Sequence, residues 1–555
     1  MSLTRRTFLT YVGTGTAALL ADPVSSAPFP NSRREKLTPP LGMKPILPSR
    51  KDELVLAEPF RSNVIISWGD ALGTEGPEGA ETFGFNNDFI AYFPIDARSG
   101  GRNPDEGLLW VNHEYMHPLF VSGFTGKGKK TREQIRTEKL CVGGSIIHVR
   151  REGENWKHLP GSKFTRRFTA LYPEIAVSGP SAEQVPLGIG TLANCSGGRT
   201  PWFTALSCEE NYPDYNLGGR WSDVPAEAID DLQYGWIVEV DPFNELPPKK
   251  HSHLGRFKHE NAAVHVGPTG RIVVYMGDDE VDQHLYKYVS AGKYQATASR
   301  AANQKLLEDG VLMVADFARG QWIELVYSQV KDTLAKTKVK LTDEEKKTLA
   351  SIGSQGELLI YTRLVAKALG ATPLDRCEDC EVHPLDGSLY VALTNNSRHG
   401  NYYGQIVRLV EDDDNAEGTR FRYEIFLAGG AQTGVSCPDN LAFDKAGNLW
   451  VVCDMSTEMI GSSPKKRSRV YEPFGNNGLF VVPTRGENAG EAFQFASGPV
   501  ESELTGPWFS EDGKTLFLSV QHPGEESESL TDLTSHWPRG GKEMPRPSVV
   551  AIRGF

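Results

Sequence analysis

NCSGGRTPWFTALSCEEN, residues 194–211, reads as a cysteine-bearing turn, a short strand and an acidic end. Cys195 lies among Ser196, Gly197 and Gly198, and Thr200–Pro201 makes a turn. The β-prone run Trp202 to Leu206 follows, and the segment closes on the adjacent carboxylates Glu209 and Glu210. Thiolate suits iron, zinc or copper, whereas carboxylate oxygens suit calcium or magnesium, so one local unit offers ligands for more than one kind of metal. Taken alone, the segment is equally a loop cysteine followed by a solvated strand end.

Working outward, the same pattern recurs. A polar turn precedes a short β-branched or aromatic run, which ends in acids, amides or histidine. The instances are EGLLWVNHEY (106–115), TPWFTALSCEEN (200–211), TGRIVVYMGDDE (269–280), DGSLYVALTNNS (386–397), AGNLWVVCDMS (446–456) and DGKTLFLSVQHPGE (512–525). Each run reads as a strand. Six similar units suggest radial repetition with long insertions. The expected fold is therefore all-β, a six-bladed β-propeller with helical and loop insertions between blades. A single strand end is usually a solvated turn, but six that converge on one mouth would make a site. The Lys-rich stretch within residues 118–170 reads as an insertion. So does 296–352, where SRAANQKLLEDG and LTDEEKKTLASIG predict helices, the second capped by Thr342. The expected organisation is a signal over 1–27, a linker over 28–50 and one domain over 51–555.

Composition narrows the function. The chain has 555 residues, 39% hydrophobic and 23% charged, which is ordinary for a globular protein able to bury a large core. A net charge of -12 argues against a nucleic-acid partner and suits cation binding through carboxylates. Seven cysteines leave at least one unpaired or ligating a metal. Thr4-Arg5-Arg6-Thr7-Phe8-Leu9, the weakly apolar run Tyr11 to Ala21 and the small-residue stretch Val24 to Ala27 form a twin-arginine (Tat) signal. They predict export to the periplasm or beyond with the Tat machinery as a partner. No other run is long and apolar enough to predict a membrane anchor. Tat export carries folded proteins, so a metal can be loaded beforehand.

Further candidates precede the strands. Glu260 in KHE, Glu378 in RCEDCE and Asp439 in CPDN lie at one offset, and each is individually a common turn acid. Cys377-x-x-Cys380 is half of a zinc site with no second half. GxSxG, Walker and HExxH motifs are absent, which removes the usual marks of serine, nucleotide and zinc-peptidase chemistry.

Together these motifs resemble the PhoX-type alkaline phosphatases. The resemblance rests on the twin-arginine signal, VNHEY, NCSGGRTPWFTALSCEEN, FKHE, YMGDD, R-x-E before VHP, LTNNS, CPDN and LSVQHPGE. It covers most of the chain after the signal. It implies a periplasmic or secreted monomer that hydrolyses small-molecule phosphomonoesters at an oxygen-bridged pair of ferric ions (two Fe3+) with three calcium ions (three Ca2+). By motif matching, Cys195 is the iron thiolate. Glu209, Glu210, Glu260, Glu378 and Asp439 are carboxylate ligands, and Arg376 is the catalytic phosphate clamp. Asn112, Glu114 and Tyr115 belong to calcium or its surroundings. Cys377 stands where the family usually has proline and Cys437 where it usually has serine, which puts the metal set in doubt more than the fold. Two readings stay open beside it: a calcium-dependent propeller lactonase or organophosphate hydrolase without a thiolate, and a non-catalytic calcium-stabilised binding propeller.

Overall fold

The computed structural model describes residues 38–461 and 468–555. The twin-arginine segment therefore lies outside the described residues, as does the first part of the expected linker. The chain is mostly β-sheet, and six sheets of four or more strands account for its core. Each of the six expected strands is present, at Glu106–His113, Ala205–Glu209, Arg271–Gly277, Leu389–Leu393, Leu449–Cys453 and Thr515–Gln521. Each is the second strand of a different sheet, paired antiparallel to a first strand that precedes it. The first strands are Asn87–Pro94, Asn194–Arg199, Ala263–Val266, Cys377–Val382, Pro438–Phe443 and Glu503–Phe509.

The first strands pack side by side in chain order, and the sixth returns to the first. The first sheet meets the second, and the second the third, through strand 194–199, whose amide at Ser196 donates to Glu260 O at 3.0 Å. Glycine is needed for this approach: a Cβ on Gly198 would lie 1.9 Å from Ala262 O. The sixth sheet joins the two ends of the described chain. Its fourth strand, Arg61–Ser67, pairs with Ser548–Arg553, the last strand. Alternate side chains of neighbouring sheets fill the space between them. Ile90, Tyr92, Leu109 and Val111 of the first sheet meet Phe517, Val549 and Ala551 of the sixth in one apolar cluster. At about 25 cal/mol per Å2 of apolar surface removed from water, such layers supply the main drive for folding.

Three expectations about organisation need correction. Residues 118–170 are not wholly an insertion. After a helix at Arg132–Cys141, the segments Gly143–Glu152, Asn155–His158 and Arg166–Phe168 complete the first sheet. Its Arg-rich end hid an apolar core, Gly143 to Val149, that pairs residue for residue with Glu106–His113. Within 296–352, Gly310–Asp316 and Gln321–Glu324 belong to the third sheet. The helices do form there, at Arg300–Gln304, Tyr327–Leu334 and Asp343–Ser351, and continue past 352 to Leu369. Thr342 caps its helix through a reciprocal capping box with Glu345, as expected. Residues 38–50 are not a free linker: Met43 is buried and the Ile46 amide donates to Gln494 O at 3.0 Å.

Candidate metal centre and phosphate site

In an antiparallel pair, the start of one strand lies beside the end of the other. The entries of the six first strands and the polar ends of the six second strands therefore share one end of the assembly. Asn87 faces His113, Asn194 faces Glu209, Cys377 faces Leu393, Pro438 faces Cys453 and Glu503 faces Gln521. In the third sheet the corresponding bridge is His259 with Asp278. Directly after the paired residue, the register slips in the first, second, fourth and fifth sheets. Such a bulge re-aims a side chain. The residues re-aimed are Asp88, Cys195, Glu378 and Asp439, and Glu260 holds the same place after His259.

The backbone repeats a second device. Asn86, Ala193, Arg376, Cys437 and Glu501 have φ of 41°, 54°, 53°, 51° and 60°. Each lies two residues before Asp88, Cys195, Glu378, Asp439 or Glu503. Left-handed backbone at non-glycine residues is costly and persists only where the surroundings over-determine it. Here it turns the chain into five of the six first strands so that the next-but-one side chain points toward the shared end.

The product is a cavity of ≈ 290 Å3 lined by nine carboxylates: Glu114, Glu210, Glu260, Asp279, Glu378, Asp439, Asp454, Glu503 and Glu525. Cys195, Tyr115, His522 and Arg376 also line it. Ligand atoms of Asp88, Glu114 and Cys195 fall within 4.8 Å of one another, as do those of Cys195, Glu210 and Glu260, and those of Glu260, Asp279 and Glu378. Cys195 and Glu260 thus each belong to two overlapping trios. The Cys195 Sγ is 3.3 Å from Glu260 Oε1.

Arg376 carries the only guanidinium on that lining. Its Nε donates to Asp279 Oδ1 at 2.8 Å and its Nη2 to Asp279 Oδ2 at 2.7 Å, while Glu378 Oε1 lies 2.9 Å from Nη2. The bidentate fork holds the group rigid. Among the described residues Nη1 has no hydrogen-bond partner.

Electrostatics suit the cavity to cations. Burial pushes Glu210, Glu260, Glu378, Asp88 and Glu503 well above the usual carboxylate range, with neighbouring acids adding to the effect. Burial takes Glu114 and Asp439 to about 7. Burial would raise Asp279 too, but the Arg376 fork outweighs it and holds that carboxyl low. Burial and then Asp88 push the Cys195 thiol well up. Nine acids against one guanidinium cannot all ionise in a low-dielectric space unless cations join them. Glu260 Oε2, on a residue 1% exposed, has no hydrogen-bond partner. Hard carboxylate oxygens with one soft thiolate fit a set of calcium-like ions and one thiophilic metal.

The structure thus brings Cys195, Glu210, Glu260, Glu378, Asp439, Glu114, Tyr115 and Arg376 together. It does not bring Glu209 or Asn112 to the cavity, which corrects their assignment as metal residues. Glu209 is fully buried on the other side of its strand. Its Oε1 accepts from Lys250 Nζ at 2.7 Å and Thr191 Oγ1 at 2.9 Å, and its Oε2 from the Gly235 and Trp236 amides at 3.0 and 3.2 Å. Successive strand residues face opposite ways, so Glu209 and Glu210 cannot share a site. Asn112 is also saturated. Its Oδ1 accepts from Trp110 and Ser207, and its Nδ2 donates to Cys195 O at 2.7 Å and Ser196 O at 2.9 Å. It fixes the bulge that carries Cys195 rather than a metal. Cys377 and Cys437 are buried in apolar clusters and do not line the cavity.

Asp88, Asp279, Asp454, Glu503, His522 and Glu525 were not singled out from sequence. Four of them stood in the quoted runs, after GD, VVC and VQ. Asp88 and Glu503 stand at or beside the entry of a first strand, the position already seen for Glu378 and Asp439.

The sequence profile of a family described as "Alkaline phosphatase PhoX" matches residues 41–524. The structure of Pseudomonas fluorescens PhoX in complex with vanadate, a transition state analogue, superposes with a TM-score of 0.78 at 31% identity, covering 92% of this chain and 97% of that one. A Dyadobacter fermentans protein of unknown function gives a TM-score of 0.38 at 9% identity, covering 89% of this chain and 99% of that one. A Trichoderma reesei carbohydrate-active enzyme of family AA12 gives 0.34 at 10%, covering 92% and 100%. No curated protein matches the chain.

Proposed function

Since the chain belongs to the PhoX alkaline phosphatase family and is a phosphoric monoester hydrolase, we propose that its acidic cavity holds a mixed cluster of two ferric and three calcium ions. In this reading the six sheets are the blades of a β-propeller and the cavity is the mouth of its central channel. Cys195 is the thiolate ligand of iron. Glu210, Glu260, Glu378, Asp439 and Glu114 hold iron and calcium, and Asp88, Asp279, Asp454 and Glu503 join them. The observation that supports it is the excess of buried carboxylates over the single Arg376, with a thiol at the junction of two ligand trios.

Phosphate monoester hydrolysis needs positioning and charge neutralisation more than covalent help. The metals, when bound, supply positive charge for the phosphoryl oxygens and lower the pKa of the attacking water. The protein supplies the rest. Arg376, clamped on Asp279, offers Nη1 to a phosphoryl oxygen and costs little reorganisation because it is already fixed. Tyr115, tied through its hydroxyl to Glu525 Oε1 at 2.5 Å, and the buried His522 wall the cavity beside it. That the Pseudomonas fluorescens relative forms a complex with vanadate, a transition state analogue, supports phosphoryl transfer as the reaction of this chain.

Export by the Tat route to the periplasm or medium, action as a monomer and the absence of a stable membrane anchor complete the reading. No helix of the described residues is long and apolar enough to cross a membrane. Elemental analysis of the purified protein, combined with p-nitrophenyl phosphate turnover with and without EGTA, tests it. Iron together with calcium-dependent turnover is expected. Full turnover by protein free of iron and calcium would overturn the cluster, and calcium without iron would favour the lactonase-like arrangement.

A further inference from the structure

A second cavity, of ≈ 330 Å3, shares no lining residue with the first. It lies on the other face of the same first strands. Ser196 follows Cys195, Asp379 follows Glu378 and Asn440 follows Asp439, and the later residue of each pair lines this second space.

Two of its carboxylates lack counter-charges. Asp379 is 4% exposed. Its Oδ2 accepts from the Leu441 amide at 2.9 Å, and its Oδ1 has no partner. Glu381, two residues on, lines the same cavity. The nearby bases are already engaged. Arg199 Nη1 donates to Glu511 Oε1 and to Tyr92 O, both at 2.7 Å, and Lys445 Nζ donates to Glu511 O at 2.5 Å. Among the described residues no basic side chain pairs with Asp379 or Glu381. A carboxylate oxygen this deeply buried and without a partner calls for one, and a cation in the adjoining space supplies it.

We propose that Asp379 and Glu381 bind a divalent cation of the calcium or magnesium class, separate from the phosphatase cluster. Two carboxylates with solvent oxygens completing the shell suit such hard ions, and no sulfur or imidazole lines the cavity. Both ligands lie on the first strand of the fourth sheet, beside the fifth-sheet strand whose Leu441 amide already holds Asp379.

Trp508 lines the cavity and makes the site visible by energy transfer to terbium(III). The holoenzyme is titrated with Tb3+ under tryptophan excitation, then back-titrated with Ca2+ or Mg2+. Saturable emission is expected, displaced by one of the two ions, which identifies the class member. E381Q is expected to weaken Tb3+ by at least about tenfold, since it removes one of two charged ligands. W508F should abolish the emission while equilibrium dialysis finds the same number of bound Tb3+ ions. p-Nitrophenyl phosphate turnover by E381Q serves as the folding control, because Glu381 does not face the phosphatase cavity. An emission titration identical in E381Q and wild type, emission that survives W508F, or emission that neither ion displaces would overturn the site.

Discussion

Glu209 offers a direct contest between sequence and geometry. Motif matching makes it a metal ligand, and the structure makes it half of a fully buried ion pair with Lys250. Lys250 Nζ has one further acceptor, Gln233 O at 2.8 Å, and lies 4.3 Å from the Tyr234 ring centre. Glu209→Gln keeps an oxygen for the Gly235 and Trp236 amides but strands the ammonium. Lys250→Met strands the carboxylate. Removing one partner of a buried pair costs about 3–5 kcal/mol, whereas replacing both by neutral groups is close to neutral. Each single variant should therefore lower the denaturation midpoint markedly, and Glu209→Gln/Lys250→Met should recover most of the loss. The coupling energy of the cycle should be at least about 2 kcal/mol. Calcium is held constant throughout, because a ligand that binds only the folded state shifts the midpoint. Iron and calcium per folded molecule should be unchanged in all three variants. If Glu209→Gln melts like the wild type yet loses iron or calcium, the carboxylate is a ligand and the geometric argument fails.

Other perturbations separate the roles of neighbouring groups. Cys195→Ala and Glu378→Ala should lose metal and phosphatase turnover together; elemental analysis showing full iron with full activity in either would refute its assignment. Arg376→Ala should retain the metals but raise the inhibition constant for phosphate by about 10- to 100-fold, the loss of roughly 1.5–3 kcal/mol for a charge-assisted hydrogen bond. Arg376→Lys should recover little of it, because an ammonium cannot keep the Asp279 fork and reach phosphate at once. His284 is buried against Thr372 O at 2.9 Å, and burial lowers its pKa to about 4 from 6.5. The unfolded chain takes up its proton below pH 6.5 while the folded one does not, so stability falls as pH drops from 6.5 to 4. His284 then contributes on the order of 3 kcal/mol to that loss. His284→Asn should flatten the dependence of the denaturation midpoint over that window, and an unchanged slope would exclude the residue.

The second strand of every sheet is readable from sequence because it is short, β-branched or aromatic, and bounded by turns. The first strands are not, and the reason is physical. Five of the six begin with a left-handed residue, a bulge or both, and these break the period of two on which strand recognition rests. Asn86 to Phe89 and Glu501 to Leu504 show no alternation, so Asp88 and Glu503 stay hidden although they occupy the same station as Asp439. The pairing of Arg61–Ser67 with Ser548–Arg553 spans almost the whole chain, and no local pattern announces it.

The site fails to be legible for a related reason. Composition says that acids collect at strand ends, but only the pleat says which way each one points. Glu209 and Glu210 are neighbours in sequence and yet one neutralises Lys250 while the other faces Cys195 and Glu260. Glu378 and Asp379 divide in the same manner between the two cavities. A motif of paired acids at a strand entry or a strand end therefore specifies two environments rather than one bidentate site. At the first-strand entries the recurring left-handed turn and bulge decide which acid enters which. Flattening that turn tests the idea without touching any ligand. Ala193 precedes Cys195 by two residues with φ of 54°, a conformation that glycine adopts freely and a β-branched residue resists. Ala193→Gly should keep the metals and turnover, whereas Ala193→Val should lose iron with Cys195 still present. Equal iron content in both variants would mean that the thiol finds the cavity without the turn.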